Sequence, residues 1–277
     1  MLPFALSCWW RKSWLYIGWT YLVVRIRFLQ WRLRIWRHKQ LMLESIQGSM
    51  KRTLLLVRHG QTGWNVEHRL PGQLPGVALT DTGRQQAARL GESLSVLPLS
   101  TIISSPLERA RDTAAFLAEG RTIPVHIEPD LADTDVGPWA GQKISELTKS
   151  DPAWRAYVQN PTVAPEGVET FPQVQQRAVA AVERWLQRED IGAYPVFVAH
   201  ADVVKLLLAY YMGIPVERAP SLFIDNASVS LIELEKEKRP QVVAISWSPN
   251  PGWLTSPAPR PAEGVQGEAE EVGEQKS

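Results

Sequence analysis

Short unbroken apolar runs alternate along this chain with stretches in which apolar residues return every three or four positions. Residues 53–57 (TLLLV), 100–104 (STIIS) and 195–199 (PVFVA) are too short for helices and show no polar face, the pattern of strands covered on both sides of a sheet. Helical spacing puts Ala87, Leu90, Leu94 and Leu97 on one side of residues 83–97, with Thr80 or Thr82 placed to cap. A second helix is predicted from Pro106 to about residue 118, a further strand over 123–127 (IPVHI), and a helical stretch over 143–158 interrupted at Pro152. Thr170 followed by Gln173 is a capping-box signal for a helix that turns Val174, Ala178, Ala181, Val182 and Trp185 inward. After 195–199 an apolar helix ends at Gly213 and Pro215. Residues 227–234 (ASVSLIEL) and 241–247 (QVVAISW) then read as a terminal strand pair joined by a charged turn. Strands alternating with helices predict an α/β layered fold with a mostly parallel central sheet and right-handed crossovers.

The two ends depart from this pattern. Residues 1–49 hold six of the chain's 12 tryptophans and eight Lys or Arg against one acid, Glu44. The uncharged run 13–24 falls short of the ~20 apolar residues of a membrane-spanning helix, and no small-residue cleavage site follows it. Two readings stand for 1–49: an extension the folded domain does not need, with that domain starting at Met50, or a membrane-surface segment whose mixture of Arg with Trp, Phe and Leu suits an interface. From Thr255 the chain is rich in Pro, Gly and Glu, so 255–277 is expected to be a disordered tail. The folded domain is therefore placed at 50–254. The formal net charge of +1 opposes nucleic-acid binding by bulk charge. The lone Cys8 excludes an intrachain disulfide and a cysteine metal cluster, and fits a cytoplasmic setting.

Chemistry gathers at the ends of the three apolar runs. The first leads into Arg58-His59-Gly60, the second into Ser104-Ser105-Pro106 with Arg109 in the following helical turn, and the third into His200. Ligands of open α/β sheets bind outside the carboxyl ends of the strands, so strand polarity alone sends two arginines and two histidines to one edge. Two guanidinium forks suit a tetrahedral dianion, and the helix start after Pro106 is expected to add its dipole and N–H groups. Asp133 or Asp202 with two imidazoles would make a metal site on paper, but adjacent arginines repel a cation, so no metal is expected. Gly60 allows close backbone approach to a ligand, and residues 60–65 (GQTGWN) form a loop able to complete an anion cradle.

The segments LLLVRHGQTGWN, LTDTGRQQAARL, ISSPLERARDTA, VGPWAG and VFVAHADVVKLLL, in this order, resemble the histidine phosphatase superfamily, the phosphoglycerate-mutase-like proteins, over residues 51 to about 250. The segments GQLPGVALTDTG and FIDNASVSLIEL resemble its small prokaryotic phosphomutase-like or phosphatase-like members. The resemblance implies a three-layer α/β/α fold and an enzyme that needs no cofactor. It makes His59 the nucleophile, with Arg58, Arg109 and His200 holding phosphate and Asn65 adding a contact. His200 is expected to be protonated beside that phosphate, and the second ring nitrogen of His59 to be fixed by an acceptor.

A leaving alkoxide needs a proton. The family places a glutamate where this chain has Asp133, one methylene shorter, so Asp133 is the expected general acid, with Asp135 and Asp202 as competitors. Gln61, Thr62, Asp202 and Glu169 are further candidate substrate contacts, although Thr170, beside Glu169, equally reads as a helix cap. His126 reads as structural, His68 as surface or pocket rim, and Trp154 and Tyr157 as lid or core packing. His38 belongs to the 1–49 segment. The resemblance implies a phosphomonoester phosphatase acting on a small phosphorylated metabolite, with a phosphomutase as the alternative. Residues 142–170 are shorter and richer in proline than the corresponding region of authentic phosphoglycerate mutases, which favours the phosphatase. The retained Arg58, His59, Arg109 and His200 oppose a non-catalytic phospho-ligand-binding module.

Overall fold

The computed structural model describes residues 51–250; the expectations for 1–49 and 255–277, with Cys8 and His38, lie outside the described residues. Among the described residues, strands β1 (Arg52–Arg58), β2 (Thr101–Ser104), β3 (Val125–Ile127), β4 (Pro195–Ala199), β5 (Val229–Leu234) and β6 (Gln241–Trp247) form one sheet in the order β3-β2-β4-β1-β5-β6. The pairs β1/β4, β4/β2 and β2/β3 are parallel, while β5 and β6 join antiparallel at the β1 side. The helices are α1 (Gly63–Val66), α2 (Asp81–Ser93), α3 (Glu108–Ala118), α4 (Ile144–Ser150), α5 (Pro152–Gln159), α6 (Phe171–Leu186) and α7 (Ala201–Met212).

The unbroken apolar runs are explained by cover on both faces. Leu54 and Leu56 of β1 pack with α6 and α7, whereas Leu55 and Val57 pack with α2 and α3. The sheet is thus the middle of three layers, and β4 is buried along its whole length. Short β3 behaves differently: Val125 and Ile127 are exposed, and the strand covers only the last three residues of the predicted run.

Boundaries moved where a local contact outweighed periodicity. The α2 helix closes at Ser93 and passes into a 3-10 turn over Leu94–Val96, capped at its start by the Thr80 hydroxyl on the Gly83 amide at 3.0 Å. The predicted break at Pro152 is a corner between two helices, where Asp151 ends α4 and its carboxylate accepts from the Ala153 and Trp154 amides. Thr170 and Gln173 form the capping box of α6. Strand β5 starts at Val229, two residues later than predicted, because Ala227 is left-handed (φ 48°) and its amide bonds the His59 carbonyl at 3.0 Å. Trp154 and Tyr157 are buried in an aromatic cluster with Trp139 and Phe171, so they are core packing. Among the described residues no helix is long and apolar enough to cross a membrane.

Two features of this fold position the site. After β1 the chain passes to α2 on one face; after the adjacent parallel β4 it passes to α7 on the other. The crevice where neighbouring connections diverge is where such sheets bind ligands. The turn after β1 also lies directly on the start of α2: a Cβ on Gly60 would meet the Gly83 carbonyl oxygen at 2.5 Å, and one on Gly83 would meet the Gln61 carbonyl oxygen at 2.0 Å.

Candidate active site

His59, His200 and Ser105 each follow immediately on β1, β4 and β2, three neighbouring parallel strands. The ladder extends one residue past the strand ends, with the His59 amide on the Ala199 carbonyl at 3.0 Å and the Ser105 amide on the Val198 carbonyl at 2.9 Å. The two imidazoles are consequently close, with ring centroids 5.2 Å apart and planes tilted by 59°. Both are buried.

His59 Nδ1 lies 2.7 Å from the Gly60 carbonyl oxygen. A carbonyl only accepts, so Nδ1 carries the proton and Nε2 keeps its lone pair. Burial, followed by the fields of His200, Arg58 and Arg109, pushes the His59 pKa well below the ordinary histidine value, leaving a neutral ring. The Gly60 amide donates to the Thr113 hydroxyl at 3.0 Å, which in turn donates to the Arg109 carbonyl at 2.7 Å, so α3 and this turn are tied together.

Arg109 is fully buried; its Nη2 reaches the Gly72 carbonyl at 2.8 Å and Asp133 Oδ2 at 3.0 Å. Arg58 Nη1 donates to the Ile224 carbonyl at 2.6 Å. Arg58 Nε, Arg109 Nε and Nη1, and His200 Nδ1 are buried with no hydrogen-bond partner in the protein. Buried donors of this kind are normally satisfied, and each unsatisfied one is costly. Four of them, drawn from two guanidiniums and an imidazole, describe a site for a multiply charged oxyanion.

Asp133 stands at the edge of this group. Its Oδ2 is also 3.6 Å from His200 Nδ1, and Oδ1 accepts from the Thr134 amide at 3.0 Å. Burial raises its pKa, opposed by Arg109, so the carboxyl holds a proton to higher pH than an ordinary aspartate. The charge expected for His200 belongs to the phosphate-bound state. Burial, then Arg109 and Arg58, pushes the His200 pKa well down in the absence of phosphate; a dianion between the arginines would oppose that field and favour the protonated ring. Its Nε2 meets the Ser105 hydroxyl at 2.8 Å.

The remaining expected contacts divide. Asn65 Oδ1 accepts from the Thr62 amide, the Thr62 hydroxyl and Asn226 Nδ2, leaving the Asn65 NH2 group as the end free for a ligand. Thr62 is buried and spends its hydroxyl on that capping box, so it shapes the loop. Gln61 Oε1 accepts from the Thr80 hydroxyl at 3.1 Å. Both Glu169 oxygens bond Arg177, and one also receives the Asp135 amide. Thr62 and both Glu169 oxygens are therefore engaged by the protein, whereas only the oxygen of the Gln61 amide is. Asp202 lies in the first turn of α7, 3.3 Å from Lys205 Nζ and partly exposed. Asp135 is exposed and caps the Gly137 amide. His126 stacks on Trp185 at 4.9 Å, and His68 is an exposed left-handed loop residue. The N-terminus of α3 starts at Glu108, whose carboxylate accepts the Gly76 amide at 3.1 Å and is held below the ordinary range by its own amide and by that of Gly76.

Sequence reasoning did not single out Ser105, Gly72, Asn226 or Arg177. Ser105 sat in the polar end of β2 and could have been found there. The others act through backbone carbonyls or through residues remote in the chain, and carry no local pattern.

Comparison with known proteins agrees with this geometry. A family model described as "Histidine phosphatase superfamily (branch 1)" matches residues 54–248. The probable phosphoglycerate mutase GpmB of Citrobacter koseri is 31% identical over 206 residues, covering 73% of this chain and 90% of that protein. Among solved structures, mycobacterial glucosyl-3-phosphoglycerate phosphatase in complex with VO3 is 32% identical with a TM-score of 0.65, covering 71% of this chain and 100% of that one. YhfR of Bacillus stearothermophilus is 35% identical with a TM-score of 0.66, covering 70% and 96%.

Proposed function

The chain belongs to the histidine phosphatase superfamily, and from that premise we propose that His59 is the residue that becomes phosphorylated as it hydrolyses phosphomonoesters. The observation that carries this is the free Nε2 of a neutral His59 beside four buried, unpartnered donors of Arg58, Arg109 and His200. We assign the activity to residues 50–254, which contain every group used below.

In the proposed sequence, the arginines and His200 hold the phosphoryl oxygens while Nε2 attacks phosphorus in line with the ester oxygen. The N–P bond forms as the P–O bond breaks, and Asp133 gives its proton to the departing alkoxide. Asp133, now a carboxylate, takes a proton from water, whose oxygen attacks phosphorus as the N–P bond breaks. Inorganic phosphate leaves, and His59 and Asp133 return to their first states. The substrate is a small phosphorylated molecule.

A second reading, phosphoryl return to the organic product, is favoured by the phosphoglycerate mutase name of the Citrobacter relative. The hydrolytic reading is favoured by the short segment 142–170, where α4 and α5 span only 7 and 8 residues. Incubation with 3-phosphoglycerate separates the two: free phosphate identifies the hydrolase, and isomerised ester identifies the mutase. An acid-labile phosphoenzyme formed by wild type and lost in His59→Ala tests the shared first step; its absence from wild type across a panel of esters would overturn both readings.

A further inference from the structure

Behind the pocket, one guanidinium has every N–H used. Arg177 lies in the middle of α6 and sends Nε and Nη2 to the two Glu169 oxygens, each at 2.8 Å. Its Nη1 donates to the Asp130 and Ala132 carbonyls at 2.8 Å, and Nη2 to the Asp133 carbonyl at 2.9 Å. Five donors thus meet five bonds, the full capacity of the group. Glu169 closes the arrangement: its Oε2 takes the Asp135 amide and its own amide donates to the Asp135 carbonyl, both at 2.8 Å.

The four residues held in this way, 130, 132, 133 and 135, are the segment that carries the acid. Leu131 and Ala132 are buried within it, so carbonyls released from Arg177 would lack partners beside apolar surface. Asp133 has a short side chain, with a single methylene between backbone and carboxyl. Its reach to Arg109 Nη2 at 3.0 Å and to the His200 ring at 3.6 Å is therefore set by where the backbone lies. A displacement near 1 Å is enough to cost about 100-fold in a proton transfer or positioning step.

We propose that Arg177, clamped by Glu169, is a positioning residue that sets the reach of Asp133 toward the leaving-group oxygen. The proposal rests on the reading of Asp133 as the proton donor. The two chemical steps it bears on differ in their need for that proton. A 2,4-dinitrophenolate leaves unaided, whereas a phenolate leaves slowly unless it is protonated.

The test is kcat/KM, which reports phosphoryl transfer to the enzyme, across aryl phosphates from 2,4-dinitrophenyl to unsubstituted phenyl phosphate. Wild type is expected to depend weakly on the leaving group, and Asp133→Asn steeply. Arg177→Lys should reproduce the Asp133→Asn pattern, losing about 30- to 100-fold on phenyl phosphate and less than about 3-fold on the dinitrophenyl ester. Glu169→Gln, which keeps side-chain volume and the amide acceptor, should show the same pattern at about 3- to 10-fold and carries the test if Arg177→Lys does not fold. Arg177→Lys combined with Asp133→Asn should be no worse than Asp133→Asn alone, since both act on one proton.

Equal losses by Arg177→Lys or Glu169→Gln on all esters, or losses that multiply those of Asp133→Asn, would overturn the proposal while leaving Asp133 as the acid. A wild-type leaving-group dependence in Asp133→Asn would instead remove the reading on which the brace stands.

Discussion

Three arginines near the centre of this protein share a chemistry and differ in their surroundings. Arg58 and Arg109, at the mouth of the parallel strands, each keep buried N–H groups that meet nothing in the protein. Arg177, on α6, has all five N–H groups bonded to carbonyls and a carboxylate. Buried cations are tolerated when paired, and a fully bonded guanidinium has no capacity left for a ligand. The unsatisfied pair is arranged for something that arrives, and the saturated one for something that must stay still. Donor satisfaction separates the two roles where burial and sequence do not.

The largest effect that would test this contrast lies at the ring both regions serve. His59→Ala should lower turnover by at least about 10,000-fold and abolish phosphoenzyme, as loss of a nucleophile does, while the thermal midpoint stays near that of wild type. Turnover that persists with label retained would move the nucleophile elsewhere.

Next comes a pair of substitutions whose effects on activity and stability should oppose one another. Arg109→Met should cost about 100- to 1,000-fold in turnover on every ester, whatever its leaving group. It should cost clearly less stability than the loss of Arg177, because two buried Arg109 donors are unmet and only Gly72 and Asp133 lose a partner. Arg177→Met should lower stability by about 2–4 kcal/mol, since Glu169 and three carbonyls lose their partner. Equal destabilisation by both, measured by urea unfolding, would erase the distinction drawn here.

Inorganic phosphate offers a smaller test. At 100 times its dissociation constant a ligand stabilises by about 2.7 kcal/mol. This shift in unfolding should persist in Glu169→Gln and vanish in Arg109→Met.

The pH dependence is the finest probe. The proposed first step needs His59 neutral and Asp133 protonated. The lowered pKa of His59 extends activity toward acid, and the raised pKa of Asp133 carries its proton toward neutrality. The kcat/KM profile for phenyl phosphate should therefore fall on the alkaline side as Asp133 ionises, and Asp133→Asn should flatten that limb at a lower rate. Stability should move the other way at low pH. Both histidines bind protons less readily when folded, so the unfolded chain takes up more protons and stability declines as pH drops below the unfolded value of about 6.5. The decline should be shallower in His200→Gln.

The parallel half of the fold was legible because its strands carry apolar residues on both faces, a pattern few other structures require. Arg58, His59, Arg109 and His200 were legible for a related reason: strand polarity decides which end of a run faces the crevice. Edges were harder to read. β3 is three residues long and exposed, and β5 starts late because the Ala227 amide turns back to His59. Arg177 left no trace, since three of its partners lie 44 to 47 residues earlier and are backbone carbonyls that every residue type possesses. Glu169 was placed near the pocket by sequence, but its charge is spent on Arg177. The downward pull of burial and of two arginines on the His200 pKa in the absence of phosphate was not legible either, since it depends on residues brought together only by the fold.

The interlocked glycines at 60 and 83 carry a consequence for how this site can diversify. Main chain touches main chain there, with no side chain between the turn that carries His59 and its supporting helix. Variation elsewhere can recolour the walls of the cleft and so retarget it to other esters. The depth at which the imidazole sits has no such adjustable shim, and even a methyl group at either glycine should act as a wedge under the reaction itself.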